Sequence, residues 1–181
     1  MKVEGNSCRS IASRPARPAL SSRDTCDADV VIGTRTRYHS GDDPLSLLRV
    51  ANTFDRVSSR HWPKWSEHAL QGDDGYSFTS PVGSFAPNAW GLHDMHGNAW
   101  EWVSDWYGAD YYAHSPPEDP RGPATGDVRV RRGGSWHTWP FYLRASFRNW
   151  NTPQTRYPLV GMRLVLESPG AASISKDQEP Q

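Results

Sequence analysis

The feature that most constrains the fold is the frequency of glycine and proline. Fifteen residues of each type interrupt a chain of 181 residues. Glycine is unfavourable inside a helix, and proline cannot continue one. The sequence therefore argues against long helices and a helix bundle, and it predicts short elements joined by much irregular backbone.

The composition narrows the classes of function. Nine tryptophans and seven tyrosines accompany an apolar fraction of 36%, so large rings must supply much of the buried area. Twenty basic and twenty acidic side chains balance, so the net charge does not point to nucleic acid. The sequence contains no apolar run long enough for a transmembrane helix, and residues 1–30 lack the apolar block of a secretory signal.

The two cysteines are Cys8 and Cys26, and the chain after residue 26 contains none. They can pair only with each other. A thiolate nucleophile, an all-cysteine zinc site or a disulfide framework is therefore excluded from the rest of the chain.

Changes in composition divide the chain into three segments. Residues 1–32 are rich in arginine, serine, alanine and proline, and we expect a disordered or unrelated leader. Residues 33–167 are turn-rich and aromatic, as expected of a domain. Residues 168–181 are rich in serine and charge, which predicts a frayed tail.

Three runs predict the main elements. The run "DVRVRRGGSW" and the run "LVGMRLVLE" (Leu159 to Glu167) are predicted strands. The run "GNAWEWVSDWY" is the best helix candidate, because Trp102 and Trp106 are spaced i, i+4. Together these runs predict an α+β fold with many short strands.

The run "GLHDMHGNAWEWVSDWYG", residues 91–108, combines tryptophans with carboxylates. Calcium binds carboxylates and backbone carbonyls in irregular geometry, and Asp94, Glu101 and the carbonyls of Gly97 and Ala99 offer such ligands. The alternative is that the acids form turns and favour a helix N-terminus.

A weaker oxygen-rich set combines the side chains of Asn52 and Asp74 with the Tyr76 carbonyl. Its members are far apart in the sequence, and Asx-turn chemistry explains Asp74 equally well.

Other chemistries find less support. His93 and His96 lack a third nitrogen ligand for zinc. Ser135 lies near His137, but the segment after this serine cannot begin the helix of a nucleophile elbow. A set of arginines offers a basic cluster that we interpret as a solvated face, not as a nucleic-acid site; it comprises Arg129, Arg131, Arg132, Arg144 and Arg148.

Several runs, taken in order, resemble the formylglycine-generating enzyme family, also called the sulfatase-modifying factor domain. They are "GTRTRYHSGDD", "ANT", "DDGYSFTSPVGSFAPNAWGLHDMHGNAWEWVSDWYG", "RVRRGGSW", "YLRASFRN" and "GMRL". The resemblance implies a C-type-lectin-like variant fold with little regular secondary structure. It also implies two calcium ions as structural cofactors. One would bind Asp94, Gly97, Ala99 and Glu101, and the other Asn52, Thr53, Asp74 and Tyr76.

The resemblance does not extend to copper. Family oxidases hold copper(I) with two cysteines after the Gly-Gly-Ser run, and the nearest positions here are Thr138 and Pro140, which cannot bind copper(I). Trp100, Ser135 and Arg148 match positions around the family's pocket, and for each the alternative is a packing role. The family's opening strand and first helix also have no counterpart, so we expect an N-terminally truncated domain.

The sequence thus predicts a calcium-stabilised pseudoenzyme of this family that acts as a binding or accessory module. Its partner would be a protein or a small molecule, with no nucleic acid and no membrane. The alternative is an oxidoreductase of the same family that acts on a protein or small-molecule thiol through another metal site. The sequence does not identify the ligand, the compartment or the oligomeric state.

Overall fold

The computed structural model describes residues 36–116 and 120–164. The predicted leader, the predicted frayed tail and both cysteines lie outside the described residues. So does the end of the predicted strand "LVGMRLVLE", from residue 165 onward. Within the described ranges, no helix has the length and apolarity needed to span a membrane.

The described domain is built on one sheet of four strands. The strands are β1 (Trp100–Trp106), β2 (Arg129–Arg132), β3 (Asn149–Asn151) and β4 (Val160–Met162). Their order is β3-β2-β1-β4, with β2 antiparallel to both β1 and β3, and with β4 parallel to β1. The strands predicted in "DVRVRRGGSW" and "LVGMRLVLE" are confirmed as β2 and β4.

The helices are short, as the glycine and proline content predicts. Among the described residues, one α-helix, α1, has four residues (Tyr111–His114), and four 3-10 helices accompany it. The 3-10 helices span Pro44–Arg49, Ser58–His61, Pro63–His68 and Pro140–Leu143. Three of them begin at a proline, whose fixed φ suits the first position of a helix.

The helix predicted over "GNAWEWVSDWY" is wrong, because most of this run is strand β1. A spacing of four residues is also two full repeats of a strand, so Trp102 and Trp106 lie on one face in either conformation. The sheet partners on both sides decide in favour of the strand: Trp102 pairs with Arg131 of β2 and with Met162 of β4.

The segments before β1 pack into a core that also includes Leu143 of the last 3-10 helix. Its buried members are Tyr38, Leu47, Val50, Ala51, Leu70 and Leu143. His96 borders this core, because its ring lies edge-on to Tyr38 and stacks on His39 at 5.1 Å.

His96 is a neutral imidazole whose two nitrogens are both used. Nε2 accepts a hydrogen bond from the His39 amide at 3.1 Å, so Nδ1 donates to the Leu143 carbonyl at 2.8 Å. Burial, and then the neighbouring His39, lower the pKa of His96 from 6.5 to about 3, against the raising effect of the Leu143 bond. Protonation would disrupt the acceptor role of Nε2.

This geometry predicts acid lability. The folded pKa lies below the unfolded one, so the stabilisation is complete above the unfolded value of 6.5 and is lost as the pH falls toward 3. Between about pH 7 and about pH 5, wild type should lose about 2 kcal/mol of unfolding free energy more than the His96→Asn variant. Denaturant titrations at the two pH values measure this difference.

The control is His114→Asn, because His114 is exposed. This variant should follow the wild-type pH dependence. If His96→Asn loses as much stability on acidification as wild type, a different group controls the acid response.

Candidate functional site

The first calcium set to be located is that of Asn52, Thr53, Asp74 and Tyr76. Thr53 and Tyr76 meet the Asp74 carboxylate through their backbone amides, not through the carbonyls that were predicted as ligands. The Thr53 amide donates to Oδ2 of Asp74 at 2.7 Å, and the Tyr76 amide donates to Oδ1 at 3.0 Å. Residues that lie more than twenty positions apart in the sequence therefore surround one carboxylate. The spacing alone could not establish this.

Asn52, the fourth member of this set, is fully buried. Its Nδ2 donates to the Phe78 carbonyl at 2.7 Å, while its Oδ1 is buried and has no hydrogen-bond partner. A buried acceptor without a donor is costly and calls for an explanation. A hard cation that takes oxygen ligands fits this atom.

The charge around Asp74 also fits a cation. Burial, helped by the nearby Asp55 and Asp73, raises the pKa of Asp74 to about 7 against the lowering effect of the hydrogen bonds from the Thr53 and Tyr76 amides. The Asp74 amide donates to Oδ2 of Asp55 at 2.9 Å, which holds the two acids close together. A divalent cation would offset this concentration of negative charge.

The second predicted set is that of Asp94, Gly97, Ala99 and Glu101. Its first three members lie in the loop that leads into β1, and Glu101 lies in β1 itself. Asp94 and Asn98 are non-glycine residues in the left-handed region, both with φ of 58°, and Gly97 has φ of 75°. Oδ2 of Asp94 accepts from the Gly83 amide at 2.7 Å, while Oδ1 is buried and has no partner. This oxygen is a second unpaired acceptor in a predicted calcium set.

Glu101 of the second set carries an ion pair that sequence reasoning missed. Nη2 and Nε of Arg163 donate to its two carboxylate oxygens at 2.8 and 2.9 Å. Nη2 also donates to the His93 carbonyl at 3.0 Å. A calcium ion here would share Glu101 with a guanidinium, so this set fits a cation less well than the set around Asp74.

One backbone contact joins the two sets. The Asn98 amide donates to the Asn52 carbonyl at 2.8 Å, and Asn52 pairs with Gly97 as an isolated parallel bridge. Oδ1 of Asn98 also accepts from the Ser80 amide at 3.0 Å. The loop that holds Asp94 is thus fastened to the segment that holds Asn52.

The rings of His93 and His96 form hydrogen bonds with different backbone carbonyls. Nδ1 of His93 lies 2.7 Å from the Phe85 carbonyl, and Nδ1 of His96 lies 2.8 Å from the Leu143 carbonyl. Within residues 36–116 and 120–164, no three His, Cys, Asp or Glu side chains converge on a common point for a metal. The predicted calcium sets differ from such clusters because each combines one or two carboxylates with amide or carbonyl oxygens.

The three pocket candidates lie in different environments. Ser135 is fully buried, and its hydroxyl lies 2.7 Å from that of Thr138. Trp100 is buried beside Phe147, with ring centroids 6.2 Å apart. Arg148 donates to the Gly108 carbonyl at 3.0 Å. No hydrogen bond or ring contact within the described part of the chain joins the three side chains directly.

A second feature that sequence reasoning missed is a cage of rings around His137. The centroid of the His137 ring lies 4.4 Å from the ring centroid of Trp62, 5.1 Å from that of Trp65 and 5.2 Å from that of Trp136. Nε2 of His137 is buried without a partner, and burial lowers the pKa of this histidine. The closely spaced tryptophans of the runs "HWPKW" and "GSWHTW" are the sequence feature that could have indicated this cage.

Comparison with known families gives one domain over most of the chain. The model described as "Sulfatase-modifying factor enzyme 1-like domain" matches residues 27–168. The formylglycine-generating enzyme of Thermomonospora curvata is 45% identical over 102 residues, which are 53% of this chain and 34% of that protein. The chain therefore matches about a third of that enzyme's length.

Other relatives carry different names. The serine/threonine-protein kinase pkn1 of Chlamydia pneumoniae is 46% identical over 89 residues, which are 48% of this chain and 14% of the kinase. The hercynine oxygenase of Mycolicibacterium smegmatis is 41% identical over 95 residues, which are 48% of this chain and 22% of the oxygenase. One domain type thus occurs in proteins with different activities.

Among solved structures, PvdO from Pseudomonas aeruginosa is similar, with a TM-score of 0.61 and 29% identity. The match covers 79% of this chain and 49% of PvdO. Variable protein 1 of Treponema denticola also has a TM-score of 0.61, at 28% identity, with coverage of 76% and 43% respectively. These matches agree with the α+β, C-type-lectin-like fold.

Proposed function

Because the chain belongs to the sulfatase-modifying factor enzyme 1-like family, we propose that it is a calcium-stabilised binding or accessory module of that family. The observation that carries the proposal is the Asn52–Asp74 set. It combines the buried, unpaired amide oxygen of Asn52 with the buried Asp74 carboxylate, which accepts from the amide of the adjacent Thr53 and has acidic neighbours. Oxygen donors of this kind suit calcium, which accepts irregular geometry.

The residues that would hold calcium are the side chains of Asn52 and Asp74 and the carbonyls of Thr53 and Tyr76. When bound, the ion would neutralise Asp74 and give Asn52 Oδ1 a partner. The second proposed set comprises Asp94, Gly97, Ala99 and Glu101, where the Arg163 ion pair predicts weaker binding. In both places the ion would have a structural role, because it would connect loops that have little regular secondary structure.

We further propose that the chain lacks copper-cysteine oxidase chemistry. Thr138 and Pro140 stand nearest the positions of the family's copper-binding cysteines, and the Thr138 hydroxyl is bonded to Ser135. Hydroxyl and pyrrolidine groups do not bind copper(I) as thiolates do. Binding is therefore the function that the domain supports best.

The experiment is calcium calorimetry on the full chain. We expect saturable binding that is abolished by Asp74→Asn and weakened by Glu101→Gln, with Glu67→Gln as the matched control because Glu67 is exposed and belongs to neither set. Wild-type protein that takes up no calcium would contradict the proposal.

The second candidate is an oxidoreductase of the same family that uses another metal site. It is favoured by the formylglycine-generating enzymes and the hercynine oxygenase among the relatives. Oxygen uptake with a thiol peptide and added iron or copper tests it. Metal-dependent uptake above that of the metal and peptide alone would favour this candidate over a binding module.

A further inference from the structure

A small cavity lies between the sheet and the segments packed against it. Its lining comes from the loop before β1, from β1 itself, from the end of β2 and its glycine turn, and from residues 143–145. The titratable members of the lining are His96, Glu101, Arg132 and Arg144. The volume of about 10 Å³ gives room for one species of about the size of a water molecule.

The carboxylate of this cavity is already neutralised. Both oxygens of Glu101 accept hydrogen bonds from Arg163, at 2.8 and 2.9 Å. His96 adds no charge, because burial and the neighbouring His39 lower its pKa to about 3. The charge of the cavity is therefore set by Arg132 and Arg144.

Arg132 brings a positive charge into the interior. It is only 5% exposed, so the interpretation of the basic cluster as a solvated face is wrong for this residue. Its Nη1 donates to the Phe147 carbonyl and its Nη2 to the Ala145 carbonyl. These two acceptors satisfy hydrogen bonds, but a carbonyl carries no net charge and a guanidinium stays protonated.

Arg144 provides a donor that lacks a partner. Its Nε is buried and forms no hydrogen bond, and no carboxylate within residues 36–116 and 120–164 forms an ion pair with this residue. Its guanidinium carbon lies 3.9 Å from the centroid of the Phe141 ring. That contact stabilises the cation, but it gives the buried Nε–H no acceptor, which is costly. Because the Arg144 side chain lines the cavity, an acceptor placed in the cavity can supply the missing bond.

The adjacent core also experiences positive charge. Tyr38 lies beside the cavity residue His96, with ring centroids 5.7 Å apart. Burial raises the pKa of Tyr38, and the charges of Arg37 and Arg144 act in the opposite direction. The field on this side of the cavity therefore favours a negative species.

We propose that this cavity binds one halide ion, which accepts a hydrogen bond from Nε of Arg144 and is held by the charges of Arg132 and Arg144. A single negative charge offsets a partly buried pair of guanidiniums, and a monatomic ion is small enough for the space. The ion would connect residues 143–145 to the sheet. This structural site goes beyond the proposed calcium-dependent binding role.

Other occupants fit the cavity less well. A water molecule would accept the bond from Arg144 but would bring no charge. A carboxylate or a phosphate has several heavy atoms and exceeds the space. A metal cation would be repelled by the two guanidiniums, and the carboxylate that would attract it is already paired with Arg163.

The test is a chloride titration of the full chain at constant ionic strength, with sodium gluconate as the balancing salt because gluconate is too large for the cavity. Binding is followed by the NMR signal of the Arg144 Nε–H group and by the broadening of the chloride-35 signal. We expect a saturable response that bromide competes away. Arg144→Met should weaken chloride binding by at least about tenfold. Arg156→Met is the matched control, because Arg156 is exposed, and it should keep the wild-type affinity.

The titration is made once in excess chelator and once with calcium gluconate, so that failure of the calcium proposal does not affect its outcome. An ordinary internal water would give no chloride dependence, and that result would overturn the inference. Unchanged affinity in Arg144→Met, or an equal loss in Arg156→Met, would also overturn it. If Arg144→Met does not fold, Arg144→Lys replaces it: this variant keeps the charge without the Nε donor, and it should bind chloride more weakly than wild type.

Discussion

Replacing Gly97 with alanine is expected to destabilise the domain by about 3 kcal/mol or more. Gly97 has φ of 75°, which an alanine adopts only at a cost of roughly 1–2 kcal/mol. A Cβ atom at this position would also lie 2.0 Å from the Asn52 carbonyl oxygen. That oxygen belongs to the backbone and accepts the hydrogen bond from Asn98, so it cannot move aside without breaking the contact between the two loops.

Gly91→Ala is the matched control for this prediction. Gly91 has nearly the same φ, 79°, but a Cβ atom there would meet no other atom within 4 Å. Gly91→Ala should therefore lower the free energy of unfolding only by the cost of placing alanine at a positive φ. Chemical denaturation of both variants in excess chelator measures the difference without any contribution from metal. Equal losses in the two variants would contradict a close approach of Gly97 to Asn52.

The second large effect is expected at Asp74. If calcium binds at this carboxylate, a concentration one hundred times the dissociation constant should stabilise wild type by about 2.7 kcal/mol. Asp74→Asn removes the charged ligand and one of the two acceptors that bind the amides of Thr53 and Tyr76. We expect the calcium-dependent increase in unfolding free energy to be lost in this variant.

Asp73→Asn separates ligand loss from a general change of charge. Asp73 is exposed, and its carboxylate accepts from the Gly75 amide at 2.8 Å. Its replacement removes the same charge beside the site but no proposed ligand, so most of the calcium effect should remain. Thermal unfolding with and without calcium compares the three proteins. A calcium effect of wild-type size in Asp74→Asn would exclude Asp74 as a ligand.

The error over β1 shows where periodicity stops being informative. Trp102 and Trp106 satisfy both the helical and the extended repeat, and the segment between them holds no glycine or proline to decide. The deciding interactions are the bonds to β2 and β4, which come from residues more than twenty positions further along. Local sequence does not contain that information.

The sequence by itself determined the general character of this protein. Its glycine and proline content required short elements, and its motifs identified the family and the oxygen-rich residues around Asn52, Asp74 and Asp94. Only the tertiary structure decided how these residues are used. It placed the Thr53 amide on Asp74, left Oδ1 of Asn52 without a partner, and paired Glu101 with Arg163. The reason is physical: the burial and the partner of a charged group depend on distant parts of the chain, as the pairing of Glu101 with Arg163 shows.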